Sequence, residues 1–293
     1  MKINVIGGGA IGLLVAAKLG RFHEVRLLTR TQEQSRKIAA EGIFIAGSVT
    51  QVYTLPFDCF QDLKETDVWI VCVKQYDLKA VWQELKQHAE TAVVFLQNGM
   101  NHTDLLREED VTYPMIVGSV EHGAMRMDAR SIEHTGEAAI RLANLTGSYA
   151  DELAEQLHET DFPFLYEPDW YKMLGTKLIA NAVINPLTSI YRVKNGELLA
   201  HPSFEKVAVM LCREAAITLG FEEKQQWENI RRIIQATKAN RSSMYKDIQA
   251  GRKTEIETIS GYIRKHAQQA IPYTDFVYYS ILGLTKQQER TNP

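Results

Sequence analysis

Lys177, Asn181 and Asn185 stand at i, i+4 and i+8 in a stretch, residues 170–187, that is otherwise apolar on most of its circumference. This spacing stacks the three side chains on one helix face, so one ammonium and two amides line a single wall. Burying each amide without a partner costs about 1–3 kcal/mol, and the ammonium costs more, so the stripe needs partners, water or a polar ligand. The ordinary alternative is a lysine whose head reaches solvent beside two asparagines satisfied by backbone. Pro186 follows at once and is expected to stop or kink the helix.

A second constellation lies near the amino terminus. Gly7-Gly8-Gly9-Ala10-Ile11-Gly12 follows a short strand pattern, residues 3–6, and opens a helix-compatible run that ends near Gly20. In this G-x-G-x-x-G order Gly7 makes a tight turn, Gly9 lets the backbone approach a pyrophosphate, and Gly12 permits close packing of helix on strand. The helix start then offers free N–H groups and the positive end of its dipole to an anion. A second strand, residues 24–28, comes about one helix later, which is the context that separates a dinucleotide-binding turn from any glycine-rich turn. An NAD site usually places a carboxylate at the end of that strand, whereas this chain has Thr29-Arg30-Thr31. The forked guanidinium of Arg30 suits a 2′-phosphate and points to NADP; the alternative is a solvated surface arginine.

The elements that must hold these groups are legible in outline. Residues 68–73 and 92–96 are almost continuously apolar, as in strands buried on both faces of a parallel sheet, with a crossover helix expected over 78–89. They end in Lys74-Gln75 and Gln97-Asn98-Gly99. Ligands of such sheets bind beyond the carboxyl ends of strands, which makes Lys74 and Asn98 candidate site residues. Against this, a strand-end lysine is commonly solvated and Asn-Gly is a favoured turn. Residues 115–120 read as another strand, 131–134 with 138–142 as a hairpin closing the sheet, and 149–158 as a helix. Pro163 and Pro168 mark a boundary beyond which strand signals nearly vanish. The fold class is therefore α/β: a Rossmann-type dinucleotide-binding domain over 1–167, then an all-α domain over 168–293. In the second half Ser242 and Ser243 suit a helix start, and residues 251–259 read as another helix with Thr254 as its cap. By local pattern alone Asp247, Glu255 and Glu257 are solvated or pairing carboxylates, and nothing singles out Glu255.

Composition sets the outer bounds. With 293 residues, 45% hydrophobic and 24% charged, the chain can bury a core, which excludes disorder throughout. Lys plus Arg total 33 against 36 Asp plus Glu, and no block of like charge occurs, which argues against nucleic acid or an anionic membrane as partner. Residues 3–17 are interrupted by Asn4 and four glycines, short of the ~18 apolar residues of a membrane span. The same glycines, and the lack of a clear small-residue cleavage site, disfavour a secretory signal peptide. Cys59, Cys72 and Cys212 are odd in number and widely spaced, so neither a disulfide framework nor a metal site is suggested, and reduced thiols in a cytoplasm fit best.

Several of these segments together resemble the 2-dehydropantoate 2-reductase (ketopantoate reductase) family: the glycine turn, Asn98-Gly99-Met100, the run from Lys177 through Asn181 and Asn185 to Pro186-Leu187-Thr188, Asn195-Gly196-Glu197-Leu198, and Ser242-Ser243-Met244 through Asp247-Ile248 with Thr254-Glu255-Ile256. The resemblance spans almost the whole chain. It implies NADPH-dependent reduction of ketopantoate, a small 2-oxo acid, to pantoate in pantothenate and coenzyme A synthesis, by a cytoplasmic monomer or homodimer. It implies that Lys177 is the catalytic lysine, acting as general acid and oxyanion stabiliser, and that Glu255 bridges cofactor and active site. Asn98, Asn181, Asn185, Asn195 and Ser243 would hold the substrate with it. Gly7, Gly8, Gly9, Ala10, Ile11, Gly12, Arg30, Lys74, Asn98 and Ala124 would bind NADP, with Glu255. Two positions depart from the family pattern. Asn101 stands where glycine is frequent, which bears on the loop near the nicotinamide, and Gly175 stands where tryptophan is frequent, which removes packing bulk behind the lysine. Rival readings are a reductase of another 2-oxo acid or a 2-oxo lactone, and a non-catalytic NADP sensor. The polar stripe argues against the sensor, which needs no proton donor.

Overall fold

The computed structural model describes residues 1–57, 63 and 65–291; Cys59 lies outside them. The chain forms two compact units, Met1–Asn98 with His102–Met173, and Gly99–Asn101 with Leu174–Pro293.

The first unit begins β1 (Lys2–Ile6), α1 (Ala10–Leu19), β2 (Glu24–Thr29), α2 (Gln32–Glu41), β3 (Ile43–Ile45), β4 (Ser48–Thr50) and β5 (Tyr53–Pro56). It continues β6 (Val68–Val71), α3 (Gln75–Leu85), β7 (Ala92–Phe95), α4 (Asn101–Arg107), β8 (Met115–Val120), β9 (Gly123–Arg126), β10 (Ser131–Gly136), β11 (Ile140–Thr146), α5 (Ala150–Leu157) and β12 (Phe164–Tyr166). Eight strands form one sheet in the order β12-β11-β8-β7-β6-β1-β2-β5, parallel throughout except where β11 runs antiparallel to β8. Strand order reverses between β1 and β6, the switch point at which open sheets of this kind bind ligands.

The apolar runs of β1, β6 and β7 are buried on both faces of that sheet. Val5, Ile70 and Val94 belong to one core, with α1 and α5, while Ile6, Trp69, Val71, Val93 and Phe95 belong to the other, with Leu78, Val81, Trp82 and Leu85 of α3. Each such side chain contributes roughly 1.5–3 kcal/mol by leaving water. The crossover helix starts at Gln75, earlier than the pattern predicts, because Lys74 is its extended N-cap residue.

One expectation for the first unit is corrected. Residues 131–134 and 138–142 are strands but not a hairpin: β10 joins a separate four-stranded sheet, β4-β3-β10-β9, while β11 pairs with β8 and β12 in the main sheet. The burial of β10 alternates, with only Ile132 fully inside, which suits a sheet packed on α1 by one face; β11 buries Ile140, Leu142 and Ala143. The proline segment holds the last strand of the chain's described residues. Pro163 and Pro168 flank β12 at the sheet edge, and the Pro163 carbonyl accepts from Ile140 N–H at 2.9 Å. Residues 3–17 form a strand, a turn and a helix, and no helix among the described residues is long and apolar enough to cross a membrane.

The second unit is helical: α6 (Trp170–Tyr191, shared with the end of the first unit), α7 (Glu197–Ala200), α8 (Pro202–Leu219), α9 (Glu223–Ala236), α10 (Ser243–Gln249), α11 (Ser260–His266) and α12 (Pro272–Thr291). Pro186 does not stop α6, which runs on to Tyr191 and ends where Arg192 turns to φ 58°. Burial of every residue from Ala182 to Ser189 holds the helix through the proline. Residues 251–259 are not a helix with Thr254 as cap. They form turns in which the Glu255 carbonyl accepts from the amides of Thr258 and Ile259, and the backbone turns helical only at Ser260 because Ile259 sits at φ −104°, ψ −86°. Glu214 ties α8 to α12 by accepting from the Tyr273 and Thr274 amides and the Thr274 hydroxyl at 2.7–3.0 Å. Cys72 and Cys212 are unpaired thiols that burial pushes up, Cys212 to about 12, so neither is a thiolate at neutral pH.

Candidate active site

In the first unit the switch point collects one group of residues. Ile6 lies level with Leu28 of β2 on one side and Val71 of β6 on the other, so the glycine turn, Arg30 and Lys74 leave the sheet from three adjacent strand ends. Gly7 N–H donates to the Leu28 carbonyl at 2.8 Å, Cys72 N–H to the Ile6 carbonyl at 2.8 Å, and Gln97 Nε2 to the carbonyls of Val71 and Val73 at 3.0 Å, which ties the end of β7 to that of β6. Asn98, the residue after this tie, is half-buried.

The three fingerprint glycines sit in three different surroundings. Gly7 sits at φ 112°, which side-chain-bearing residues rarely adopt. A Cβ on Gly12 would lie 1.8 Å from the Gly7 carbonyl oxygen, so α1 meets the turn backbone to backbone. Gly9, the N-cap residue of α1, faces open space: a Cβ there would meet nothing within 4 Å. The amides of Ala10 and Ile11 begin the helix, and no acidic residue in its first turn offsets the dipole. This open, positively polarised turn fits a pyrophosphate. The outcome expected of Gly12→Ala is loss of more than about 3 kcal/mol of stability, because neither colliding backbone atom can yield. Gly9→Ala should leave the melting temperature within a few degrees and weaken NADPH binding. Thermal melts and NADPH fluorescence titrations of the two variants check this contrast.

Arg30 is 83% exposed, its guanidinium 3.9 Å from Asp77 at the start of α3, so its fork is open to a phosphate. Lys74 is exposed at the α3 N-cap. Ala124 lies in β9 opposite His134 and, like Ile11, packs at the rim of the core that holds α1.

The second unit collects the other group. Lys177 and Asn181 are half-buried and Asn185 is buried, on a helix whose neighbouring residues are mostly buried apolar ones. The Thr188 hydroxyl donates to Ser242 Oγ at 2.8 Å, and Ser242 Oγ accepts from Tyr245 N–H at 3.2 Å, so the N-cap of α10 is fastened to α6 and Ser243, exposed, is the first residue of α10. Asn195 is buried. Its amide nitrogen donates to Thr237 Oγ1 at 2.9 Å, while its Oδ1 has no hydrogen-bond partner among the described residues, an acceptor left for an outside donor. Glu255, half-buried, opens the turn whose Thr258 lies against Gly99: at φ 81° a Cβ on Gly99 would sit 2.4 Å from the Thr258 carbonyl oxygen.

Both departures from the family pattern resolve structurally. Asn101 starts α4 without a positive φ, so glycine is not needed there. His102 behind it is fully buried and pushed down to about 4 by desolvation, hence neutral at pH 7. The bulk expected to be missing at Gly175 is supplied by Phe221, whose ring would be 2.5 Å from a Cβ there. Phe221 follows the left-handed Gly220 that ends α8, and no local signal near Gly175 points to it.

Two sequence families match the chain. One, "Ketopantoate reductase PanE/ApbA", matches residues 3–147, and its partner, "Ketopantoate reductase PanE/ApbA C terminal", matches 169–284. A 2-dehydropantoate 2-reductase from Bacillus subtilis is 39% identical over 299 residues, covering 99% of each chain, and one from Listeria innocua is 30% identical, covering 97% of each. The crystal structure of a probable 2-dehydropantoate 2-reductase from Bacillus subtilis superposes with a TM-score of 0.88 at 37% identity over 97% of this chain and 100% of that one. D-mandelate dehydrogenase with NADH shares the fold at a TM-score of 0.89 and 22% identity, covering 98% of this chain and 99% of that one. The chain belongs to the ketopantoate reductase family.

Proposed function

We propose that this protein reduces ketopantoate to pantoate with NADPH, and that Lys177 delivers the proton. The observation that carries the reading is the stripe of Lys177, Asn181 and Asn185 on an otherwise apolar, buried helix, in a chain that matches the family over both units.

NADPH supplies a hydride for the carbonyl carbon of the 2-oxo acid. The chain's own residues do the rest. As negative charge builds on the carbonyl oxygen, the Lys177 ammonium stabilises it and gives up a proton to it. Glu255 orients that ammonium. Asn98, Asn181, Asn185 and Ser243 hydrogen-bond the substrate carboxylate and hydroxyl without adding a charge that raises its desolvation cost, and the unsatisfied Oδ1 of Asn195 suits a hydroxyl donor. Residues 7–12 with Lys74 and Ala124 hold the dinucleotide, and Arg30 its 2′-phosphate.

Following NADPH absorbance with and without ketopantoate tests the proposal. Oxidation should require ketopantoate, and kcat/KM for it should exceed that for other 2-oxo acids and 2-oxo lactones. A better substrate among those would replace ketopantoate, and no oxidation with any of them would leave the sensor reading.

A further inference from the structure

The glycine turn is braced by a side chain that its fingerprint does not include. Gln34, in the first turn of α2 and only 8% exposed, donates both hydrogens of its amide nitrogen to backbone: to the Gly8 carbonyl at 2.8 Å and to the Ala129 carbonyl at 2.7 Å, beyond β9. The Gly8 carbonyl also accepts from Arg126 Nη1 of β9 at 3.3 Å. A Cβ on Gly8 would lie 2.6 Å from Gln34 Oε1, so the side-chain amide lies directly against the turn.

We infer that Gln34 is a positioning residue for the cofactor, fixing the Gly8–Gly9 peptide so that the Gly9 amide faces the pyrophosphate. The step is geometric. In a planar trans peptide the carbonyl of one residue and the N–H of the next point in opposite directions. Two donors draw the Gly8 oxygen towards α2 and β9, so the Gly9 N–H is directed away from them, at the residue beside which space is open. Glycines on both sides offer the peptide little steric resistance to rotation, so its orientation has to come from outside the turn. An amide oriented before binding spends none of the ligand's binding energy on being ordered. Gln34 is the third residue after Thr31, whose hydroxyl caps α2 by accepting from Gln34 N–H at 3.2 Å. In a capping box the side chain at this position reaches back to the cap residue; here it reaches to Gly8 instead.

The inference rests on the reading of residues 7–12 as the dinucleotide turn, and the test separates the two. Gln34→Met keeps the volume and removes both donors; Gln34→Glu turns an acceptor towards two carbonyls. Each is compared with the full-length parent for NADPH affinity by fluorescence titration, for adenosine 2′-monophosphate affinity by ligand-observed NMR, and for melting temperature without ligand. Adenosine 2′-monophosphate carries the phosphate assigned to Arg30 and lacks the pyrophosphate. The expected result is NADPH affinity weakened roughly 5–30-fold in Gln34→Met, and more in Gln34→Glu, with adenosine 2′-monophosphate affinity within about twofold of the parent. Parallel weakening of both ligands would reduce Gln34 to a structural support and overturn the inference, as would NADPH affinity unchanged in either variant. Failure of the parent itself to bind NADPH overturns the dinucleotide reading, and this inference with it. Should Gln34→Glu fail to fold, Gln34→Met decides.

Discussion

Lys177→Ala is expected to lower kcat at least about 100-fold while leaving NADPH affinity within a few-fold of the parent, the signature of a lost general acid. The ammonium is proposed to act twice on one oxygen, by charge and by proton, and alanine can do neither; water reaching the vacated space is a far weaker acid. NADPH affinity should hold because the residues assigned to the dinucleotide, apart from Glu255, belong to the first unit, whereas Lys177 is on α6 in the second. The fold should hold too: the side chain is half-buried, and alanine favours a helix. Steady-state kinetics in both substrates, with a direct NADPH titration, check the result. Near-normal turnover would end the assignment.

Arg30→Asp should reverse cofactor preference. The guanidinium stands 83% exposed beyond the end of β2, the position at which a carboxylate would instead accept from the ribose hydroxyls of NADH. Charge-assisted hydrogen bonds contribute about 1.5–3 kcal/mol each, so losing a forked pair and gaining a repulsive carboxylate should change the NADPH to NADH ratio of kcat/KM by roughly 100-fold or more. Asp77, 3.9 Å from the arginine, adds to the negative charge that a 2′-phosphate would then meet. The ratio measured at fixed ionic strength decides, and an unchanged ratio rejects the role of Arg30.

How much of this the residues themselves announce depends on how local the physics is. The turn from β1 to α1 is legible because Gly7 and Gly12 answer to contacts within a few residues or at the neighbouring strand end, and the α6 stripe because helical spacing alone stacks it. The partners of strands are not local. Residues 131–134 and 138–142 both read as strands, yet β10 pairs with β3 and β9 while β11 pairs with β8 and β12, choices made by core contacts far along the chain. Side-chain destinations are less legible still. Only the folded chain shows Gln34 turned to Gly8 and Ala129. Phe221 fills the space above Gly175 from another helix end, so the sequence around Gly175 shows a loss without its compensation. The segment of Glu255 reads as a helix capped by Thr254 yet folds as turns, and only the resemblance points to Glu255.

The tripeptide Gly99–Asn101 belongs to the helical unit although strands of the other unit precede and follow it in the chain. Exchange of halves between relatives by a single recombination junction near residue 173 would therefore separate the Thr258 carbonyl from the glycine backbone fitted against it. Chimeras that inherit residues 99–101 together with the helical half keep that fit.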